Sequence, residues 1–533
     1  MRFKLKFKLL VTKQSPTGDR NVLIRTKTFD GPEYCGDYYT SYLSGDYNED
    51  CDVDTDDLLS MAQDWLKCSD PADGNCNDPG IKPLVTDDFP PIMEMDGEPH
   101  FPIGWYCSPI DIDPNFDSET LTTTTTQAEL IQNAIDYLAE VAATGADFVM
   151  PYYLHLSTYY AKHKIAFFEA GLVVPEVKIM AHYYESYLSE PLYSYVNFCA
   201  GYDSLFGWYI ADEPEAHGTP PASLQGIYND IKTYDPNNRP VVVTHHGHWY
   251  GATPYLWPTR HADIMTTDLY PVYGAEYSGV FWEVAQNAKY YSKIAQQQKL
   301  GPYMIVPQAF GDTGGWRRPT YGELRYLSFG PVVYGARGVW YFIWHYPIGT
   351  IPEDSKTFRD TVATPVNSEL NFLAPAIMSN STVVTVTSNH DTDTTGHIIE
   401  DMGYLFGQDD DYGYLIAVNN TPGTYSAQLY LEGPGLLEAV GSGSVSVPVM
   451  FESRNVTMTE SSPGHWTISD SFGPFGVHMY QLYAVPAAQQ CGDLATMYPE
   501  RDLDNNCYVN FSDFAILAGN WLKCSDPADN DCD

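Results

Sequence analysis

The stretch LFGWYIADEPE, residues 205–215, is the part of the sequence that most constrains the fold. It is an apolar run that ends in two adjacent carboxylates, Asp212 and Glu213, followed by Pro214. A short apolar run of this kind is typical of a strand buried on both faces. Because two adjacent acids at the end of a buried strand do not help folding, a chemical role is the stronger interpretation. In the structural alternative, Asp212 caps the next helix and Pro214 lies in its first turn, which accounts for only one of the two acids.

Seven similar apolar runs surround this stretch and alternate with amphipathic segments. The eight predicted strands span residues 101–107, 147–153, 177–184, 205–211, 240–246, 263–270, 303–310 and 338–344. Helices are predicted between them, for example over 127–145 and 279–298. This count and spacing predict an α/β fold, a (β/α)8 barrel of TIM type. An open doubly wound sheet is the competing fold, but no glycine-rich phosphate loop follows any of the strands.

The rest of the chain predicts further domains. After residue 380, alternating segments separated by Gly, Asn, Asp and Pro predict an antiparallel β-sandwich. The basic N-terminal segment is interrupted by Lys4, Lys6 and Lys8 and does not make a convincing signal peptide. The predicted order is an N-terminal segment (1–30), a small repeat (31–78), a linker with a lead-in (79–100), the barrel (101–378), the sandwich (379–487) and a second small repeat (488–533).

Composition argues against several functional classes. The 28 basic residues face 69 acidic ones, which gives a net charge of −41. That balance argues against binding to nucleic acid, whose phosphates need Lys and Arg, and against anionic membrane surfaces. No apolar run has the length of a transmembrane helix. The 42 Tyr and 11 Trp residues suit sugar rings and other wet binding surfaces, because each ring combines an apolar face with a polar edge.

The two ends of the chain carry copies of one module. WLKCSDPADGNC (65–76) returns almost unchanged as WLKCSDPADNDC (521–532). Four cysteines in each copy recur at intervals of 16, 17 and 8 residues: Cys35, Cys51, Cys68 and Cys76, then Cys491, Cys507, Cys524 and Cys532. Each copy also has a loop of about 12 residues with oxygen-bearing residues at alternate positions, the pattern of a calcium site. The predicted ligands are Asp46, Asn48, Asp50, Asp52, Asp54 and Asp57 in the first copy and Asp502, Asp504, Asn506, Tyr508, Asn510 and Asp513 in the second.

Each module resembles one half of a dockerin, with Asp57 or Asp513 at the last loop position and a helical segment after it. The resemblance implies structural Ca²⁺, and a cohesin-like partner or pairing of the two repeats with each other. Two features depart from that family: a Cys stands where Gly makes the turn, and more than 400 residues separate the halves.

The paired cysteines favour disulfides and an extracellular or cell-surface location, with the connectivity open among three pairings per module. Zinc is the weaker alternative, because no CxxC is present. Cys107 and Cys199 lie apart from the modules and are predicted to be buried free thiols.

In a barrel of this type, functional residues gather at the carboxyl ends of the strands. The polar and aromatic residues there predict a cleft for an uncharged sugar polymer, and no cofactor is expected for catalysis. The predicted substrate-binding residues are Trp105, Tyr106, Tyr153, His182, Tyr183, His245, His246, Tyr270, Gln308 and Trp344.

Asp212-Glu213-Pro214 resembles the Asn-Glu-Pro motif on the fourth strand of clan A glycoside hydrolases, and GWYIADEPE is similar to enzymes of the family 42 β-galactosidase kind. The resemblance spans roughly residues 101–377. It implies that Glu213 is the general acid/base, that Asp212 holds the 2-substituent of the sugar, and that Trp344 is the aromatic platform under the reactive ring. Asp212 departs from the motif, and Gln308 stands where the clan has its nucleophilic Glu on strand seven.

Asp268, at the end of strand six, is the first candidate for the missing carboxylate. It would act as a nucleophile at about 5 Å from Glu213, or as the base of an inverting reaction at about 6.5–9.5 Å. Asp312, Glu185 and Glu276 are weaker candidates. A substrate-assisted route also stays open, because adjacent Asp and Glu resemble the pair of family 20 hexosaminidases.

The predicted function is therefore hydrolysis of O-glycosyl bonds. A carbohydrate-binding barrel without catalysis is one alternative, which Gln308 favours. A calcium-dependent surface-assembly protein is the other, which the terminal repeats favour.

Overall fold

The structure, a computed structural model, describes residues 5–14, 20–29, 93–95, 98–184, 189–247, 261–297, 300–311, 315–345, 353–379, 384–392, 399–409, 412–433, 443–462 and 464–482. Both predicted calcium-binding repeats lie outside these residues, as do Glu185 and Asp312. The chain divides into two units, Asp87–Pro486 and a unit made of Met1–Thr86 and Ala487–Asp533. In the latter, β1 (Leu5–Gln14) and β2 (Arg20–Phe29) pair as an antiparallel hairpin.

A closed barrel of eight parallel strands confirms the predicted fold. Two short hairpins accompany it: β3 (Met93–Met95) with β4 (Glu98–His100), and β6 (Phe116–Asp117) with β7 (Thr122–Thr123). The barrel strands are β5 (Ile103–Cys107), β8 (Phe148–Pro151), β9 (Lys178–His182), β10 (Leu205–Asp212), β11 (Val241–His246), β12 (Ile264–Asp268), β13 (Met304–Val306) and β14 (Val339–Tyr341). Each strand pairs with the next in chain order, and β14 closes the barrel on β5.

Helices follow the strands along the chain. They are α1 (Gln127–Ala143), α2 (Ser157–Val173), α3 (Leu192–Ala200), α4 (Pro221–Tyr234), α5 (Trp282–Gln297), α6 (Tyr321–Val333), α7 (Glu353–Phe358) and α8 (Thr364–Met378), with a π-helical turn, Arg359–Ala363, between the last two. Capping boxes begin α1 and α6, formed by Thr126 with Glu129 and by Thr320 with Glu323. None of the described helices is both long and apolar enough to cross a bilayer.

Side chains on the barrel strands alternate between two cores, because successive residues of a strand point to opposite faces. Tyr106, Tyr209 and Trp340 belong to the core inside the barrel. Trp105 and Trp208 belong to the core between strands and helices. Cys107 and Cys199 are buried free thiols, as predicted.

The C-terminal strands form an antiparallel sheet of eight strands. They are β15 (Thr385–Ser388), β16 (Met402–Gln408), β17 (Gly413–Asn419), β18 (Tyr425–Glu432), β19 (Ser444–Val449), β20 (Arg454–Ser462), β21 (His465–Phe472) and β22 (Val477–Leu482). A two-layered sandwich was predicted, whereas the strands form one hydrogen-bonded sheet in which β19 meets β22 at a single pair, Val449 and Tyr480. Strands β16 and β20 were not predicted, because neither segment alternates regularly between apolar and polar residues.

The sheet packs on the barrel through α6. Arg325 donates hydrogen bonds to Glu369 on α8 at 2.7 Å and to the Val477 carbonyl of β22 at 2.7 Å. Phe475, between β21 and β22, contacts Tyr326 with 5.0 Å between ring centroids. Barrel and sheet therefore belong to one compact unit.

Candidate active site

Three carboxyl groups lie together at the carboxyl-terminal edge of the barrel. Asp212 ends β10, Glu213 follows it, and Asp268 ends β12. The intervening strand β11 pairs with both neighbours, so that Thr244 lies beside Asp212 and His246 beside Asp268. The Glu213 and Asp268 carboxyl groups are close enough to affect each other's ionisation, and the charge of Glu213 raises the pKa of Asp268. The barrel thus joins two acids that are 55 residues apart in sequence.

The backbone of Glu213 adopts an unusual conformation. Its φ angle is +41°, and its N–H donates to the Thr244 carbonyl at 2.8 Å. A non-glycine residue in this region is strained, and such residues concentrate at functional sites, where the surrounding structure holds them in place. The turn after β10 therefore directs the Glu213 side chain toward Asp268.

The acid pair retains a proton more readily than isolated carboxyl groups would. Burial raises the pKa of Glu213, while His246, whose Nε2 lies 3.7 Å from Oε1, opposes the rise. Burial, followed by the negative charges of Glu213 and Asp212, raises the pKa of Asp268 well above its ordinary value. Asp268 Oδ1 is buried and accepts no hydrogen bond from the described part of the chain.

Asp212 is fixed from inside the barrel by tyrosine hydroxyl groups. Tyr209 donates to Oδ1 at 2.6 Å, and Tyr152 donates to Oδ2 at 3.3 Å. Burial raises the pKa of Asp212, and these two hydrogen bonds limit the rise. Below them, the Tyr106 hydroxyl lies 2.8 Å from Thr244 Oγ1. Both oxygens of Asp212 are thus engaged by protein groups.

Several of the predicted binding residues line this cleft. His246 lies beside Glu213, and Tyr270 lies close to Asp268, whereas Tyr106 is buried in the core inside the barrel. Tyr153 is exposed at the rim, and its N–H donates to Nδ1 of His182 at 2.9 Å. Burial lowers the pKa of His182 well below its ordinary value, so this histidine is neutral and carries its proton on Nε2.

Four other predicted binding residues face away from the cleft: Trp105, Tyr183, His245 and Trp344. All four are buried on the helix-facing side of the barrel. Trp105 packs edge-on against Trp344 at 5.3 Å, and the Arg359 guanidinium covers the Trp344 ring at 3.8 Å. Tyr183 packs against Tyr195 of α3, and His245 lies between Glu215 and His261.

Gln308, another predicted binding residue, anchors loops. Its Oε1 accepts from the Val272 N–H at 2.9 Å, and its amide nitrogen lies within hydrogen-bond distance of the carbonyls of Val272, Phe310 and Arg317. Because it is fully buried and every polar atom is used, it has no group left for a sugar.

Other residues at and around the site were not predicted. Phe342 stacks on Tyr270 at 5.6 Å, and its alternation with Trp340 on the last barrel strand could have indicated that it faces inward. Trp316 lies in a loop, so no periodic pattern marked it. Glu215 accepts from the His246 N–H, and thereby positions the residue beside Glu213.

The weaker candidate Glu276 is exposed and accepts a hydrogen bond from Thr320 at 2.9 Å. Across the described ranges, no three His, Cys, Asp or Glu side chains are arranged to hold a metal ion.

Comparison with known proteins gives structural likeness only. No family model and no curated protein matches the chain. A solved structure titled glycoside hydrolase is 11% identical with a TM-score of 0.49, and the match covers 76% of this chain and 98% of that one. A family 5 glycoside hydrolase from Bacteroides vulgatus is 12% identical with a TM-score of 0.45, covering 76% and 95%. A catalytic mutant of a family 42 β-galactosidase from G. stearothermophilus is 7% identical with a TM-score of 0.44, covering 72% and 98%. Likeness at this level does not carry an activity over to this chain.

Proposed function

We propose that the chain hydrolyses glycosidic bonds with Glu213 and Asp268. The proposal rests on one observation: the Glu213 and Asp268 carboxyl groups meet at the carboxyl-terminal edge of a (β/α)8 barrel, where each affects the ionisation of the other. Hydrolysis of an acetal needs one acid to protonate the leaving oxygen and one carboxylate on the opposite side of the sugar. The carboxylate missing from strand seven is then supplied by strand six.

Exposure favours Glu213 as the acid/base. Its side chain keeps 29% of its surface exposed, so it can reach both the leaving group and an incoming water. Asp268 lies deeper and supplies the second carboxylate. In the first step Glu213 is protonated and Asp268 is ionised. Asp268 then bonds to the anomeric carbon while the departing oxygen takes that proton. Glu213 next removes a proton from water, whose oxygen displaces Asp268.

The contact between the two acids favours retention of anomeric configuration. Inverting enzymes keep their carboxyl groups about 6.5–9.5 Å apart to hold a water between them, whereas retaining enzymes bring them to about 5–5.5 Å. We assign the shorter spacing to Glu213 and Asp268, because each affects the ionisation of the other. A substrate-assisted route is disfavoured, because both oxygens of Asp212 already accept hydrogen bonds from tyrosines.

Activity on neutral oligosaccharides and aryl glycosides, compared among variants, tests the proposal. We expect Glu213→Gln to lose about 10²–10⁴-fold on natural linkages, because a positioned acid contributes that much. It should keep more activity on glycosides whose leaving group needs no proton. Asp268→Asn should lose activity on both kinds of substrate. Glu276→Gln, an exposed acid whose hydrogen bond is to Thr320, is the matched control and should stay active.

The first product, followed by NMR, should have the configuration of the substrate. Full activity of Glu213→Gln, or an inverted first product, would contradict the assignment. Binding of glycans without any product by the unmodified chain would exclude hydrolysis and leave carbohydrate binding as the function.

A further inference from the structure

One side of the cleft is a continuous set of aromatic rings, formed by Tyr270, Phe310, Trp316 and Phe342, which we call the ring wall. It begins at Tyr270, which follows Asp268 by two residues in the chain. Tyr270 stacks on Phe342 and meets Phe310 edge-on at 5.0 Å. Phe310 in turn lies 5.7 Å from Trp316. The wall therefore leads outward from the acids to Trp316.

Trp316, at the outer end of the ring wall, is open to solvent. The Trp316 side chain is large and apolar, yet 40% of its surface is exposed. Its Nε1 donates to the Tyr270 carbonyl at 3.3 Å, and its backbone forms a β-bridge with the equally exposed Tyr273. The indole nitrogen is thus engaged, and what remains exposed is mostly apolar ring surface.

The loop that carries Trp316 is anchored directly after it, at Arg317. The Arg317 guanidinium pairs with Glu323 at 2.6 Å and donates to the Gly274 carbonyl at 2.9 Å. Gln308 holds the Arg317 carbonyl at 3.0 Å. A ring presented on a fixed backbone loses little entropy on binding, which is the condition for an effective binding platform.

Charge selects the kind of sugar that fits beside this wall. The Arg317 guanidinium pairs with Glu323, and Arg318 donates to Ser355 at 2.7 Å. The cluster of three carboxyl groups at the inner end carries negative charge that repels an acidic sugar. An uncharged ring, with one apolar face for the indole, meets no such repulsion.

We propose that Trp316, with Tyr273 beside it, is a binding subsite for an uncharged sugar unit of an oligosaccharide. The position of that unit relative to the cleaved bond rests on the proposed function of Glu213 and Asp268. The subsite itself rests on the ring wall, and binding can be measured without turnover.

Calorimetric titration of the full chain carrying Glu213→Gln tests this inference. The probes are cellohexaose, xylohexaose, mannohexaose and maltohexaose, with hexagalacturonic acid as the acidic probe. We expect at least one neutral probe to bind and the acidic one to bind at least about tenfold more weakly. Adding Trp316→Ala should weaken the neutral binding about tenfold or more, as truncation of a buried aromatic contact does. Trp316→Phe should recover part of the loss.

Tyr430→Ala is the matched control, because Tyr430 on β18 is also 40% exposed but belongs to the C-terminal sheet. It should leave binding unchanged, and all variants should keep the melting temperature of the parent. Equal affinity with and without the Trp316 ring overturns the inference, as does equal or tighter binding of the acidic probe, or no binding of any neutral probe. Loss of cleavage in Glu213→Gln is independent of these outcomes, so the two proposals fail separately.

Discussion

At the scale of single residues, Asp268 illustrates the conflict between folding and chemistry. A buried carboxyl group beside two others lowers stability whenever it ionises, because its charge is desolvated and repelled. The sequence could indicate that Asp212, Glu213 and Asp268 lie at strand ends, since each follows a buried apolar run. It could not indicate that Glu213 and Asp268 touch, because that contact depends on the backbone turn at Glu213 and on the register of β10, β11 and β12.

The raised pKa of Asp268 makes a signed prediction about stability. A carboxyl group with a folded-state pKa above its unfolded value binds more protons in the folded state, so stability falls as pH rises from the unfolded toward the folded pKa. Asp268→Asn removes that loss. We expect the variant to melt at a higher temperature than the parent at about pH 8, with the difference shrinking toward about pH 4.

Asp470→Asn in the C-terminal sheet should behave oppositely. Burial of Asp470 opposes the effect of its partners, but hydrogen bonds from His478 and Arg454 hold its pKa below the ordinary value. Its ionised form stabilises the fold above the unfolded pKa, so the variant should lose stability at about pH 8. Calorimetric scans of both variants across pH are the measurement. A pH-independent effect of Asp268→Asn would contradict the raised pKa.

At the scale of elements, strand alternation decides which predicted residues reach the cleft. Every barrel strand was located from its apolar run, but the runs are apolar on both faces and do not show which residues point inward. Tyr106 faces the barrel interior and its neighbour Trp105 faces the helices. Likewise His246 faces Glu213 whereas His245 packs behind the strand. The alternation along β10 does not show to which face the Asp212 and Glu213 side chains point, because the turn at Glu213 departs from strand geometry.

Gln308 lies just after β13, where the clan A resemblance would place a nucleophile. If strand seven were a degenerate clan A strand, Gln308→Glu would restore a nucleophile. The structure leads to the opposite expectation. The amide nitrogen of Gln308 faces three carbonyls, and a carboxylate oxygen there would repel them and leave them unsatisfied.

We therefore expect Gln308→Glu to lower the free energy of unfolding by about 1–3 kcal/mol or more at neutral pH and to lower activity through the loosened ring wall. Denaturant unfolding followed by activity measurement checks both effects. A stable variant with raised activity would show that Gln308 occupies a catalytic position.

At the scale of the whole molecule, the C-terminal sheet supports the cleft from outside the barrel. Phe475 of the sheet packs on Phe281 at 5.2 Å and on Tyr277 at 6.0 Å. The Tyr277 N–H donates to Glu323, which also binds the Arg317 that follows Trp316. The ring wall is thus connected to the sheet through one buried carboxylate. Such a connection between distant segments leaves no local sequence pattern. The sequence therefore predicted a barrel and further C-terminal strands, but not the contacts that link the sheet to the ring wall.

The terminal repeats carry the last prediction, and their residues lie outside the described ranges. Their matching calcium-loop patterns and cysteine spacings lead us to propose two structural calcium sites per chain, with four disulfides. In loops of this kind the first and last positions supply side-chain oxygens, whereas position seven supplies a backbone carbonyl. Substitutions at these positions should therefore have unequal effects.

Asp46→Ala and Asp57→Ala should each abolish binding at the first site and leave one calcium per chain. Asp52→Tyr, which copies the Tyr508 of the second repeat, should retain both. Equilibrium dialysis of the full chain counts the bound calcium, and mass spectrometry under non-reducing conditions counts the disulfides. If Asp52→Tyr lost calcium as fully as Asp46→Ala, or if the unmodified chain bound none, the acidic loops would be solvated surface segments and the likeness to a dockerin would be confined to sequence.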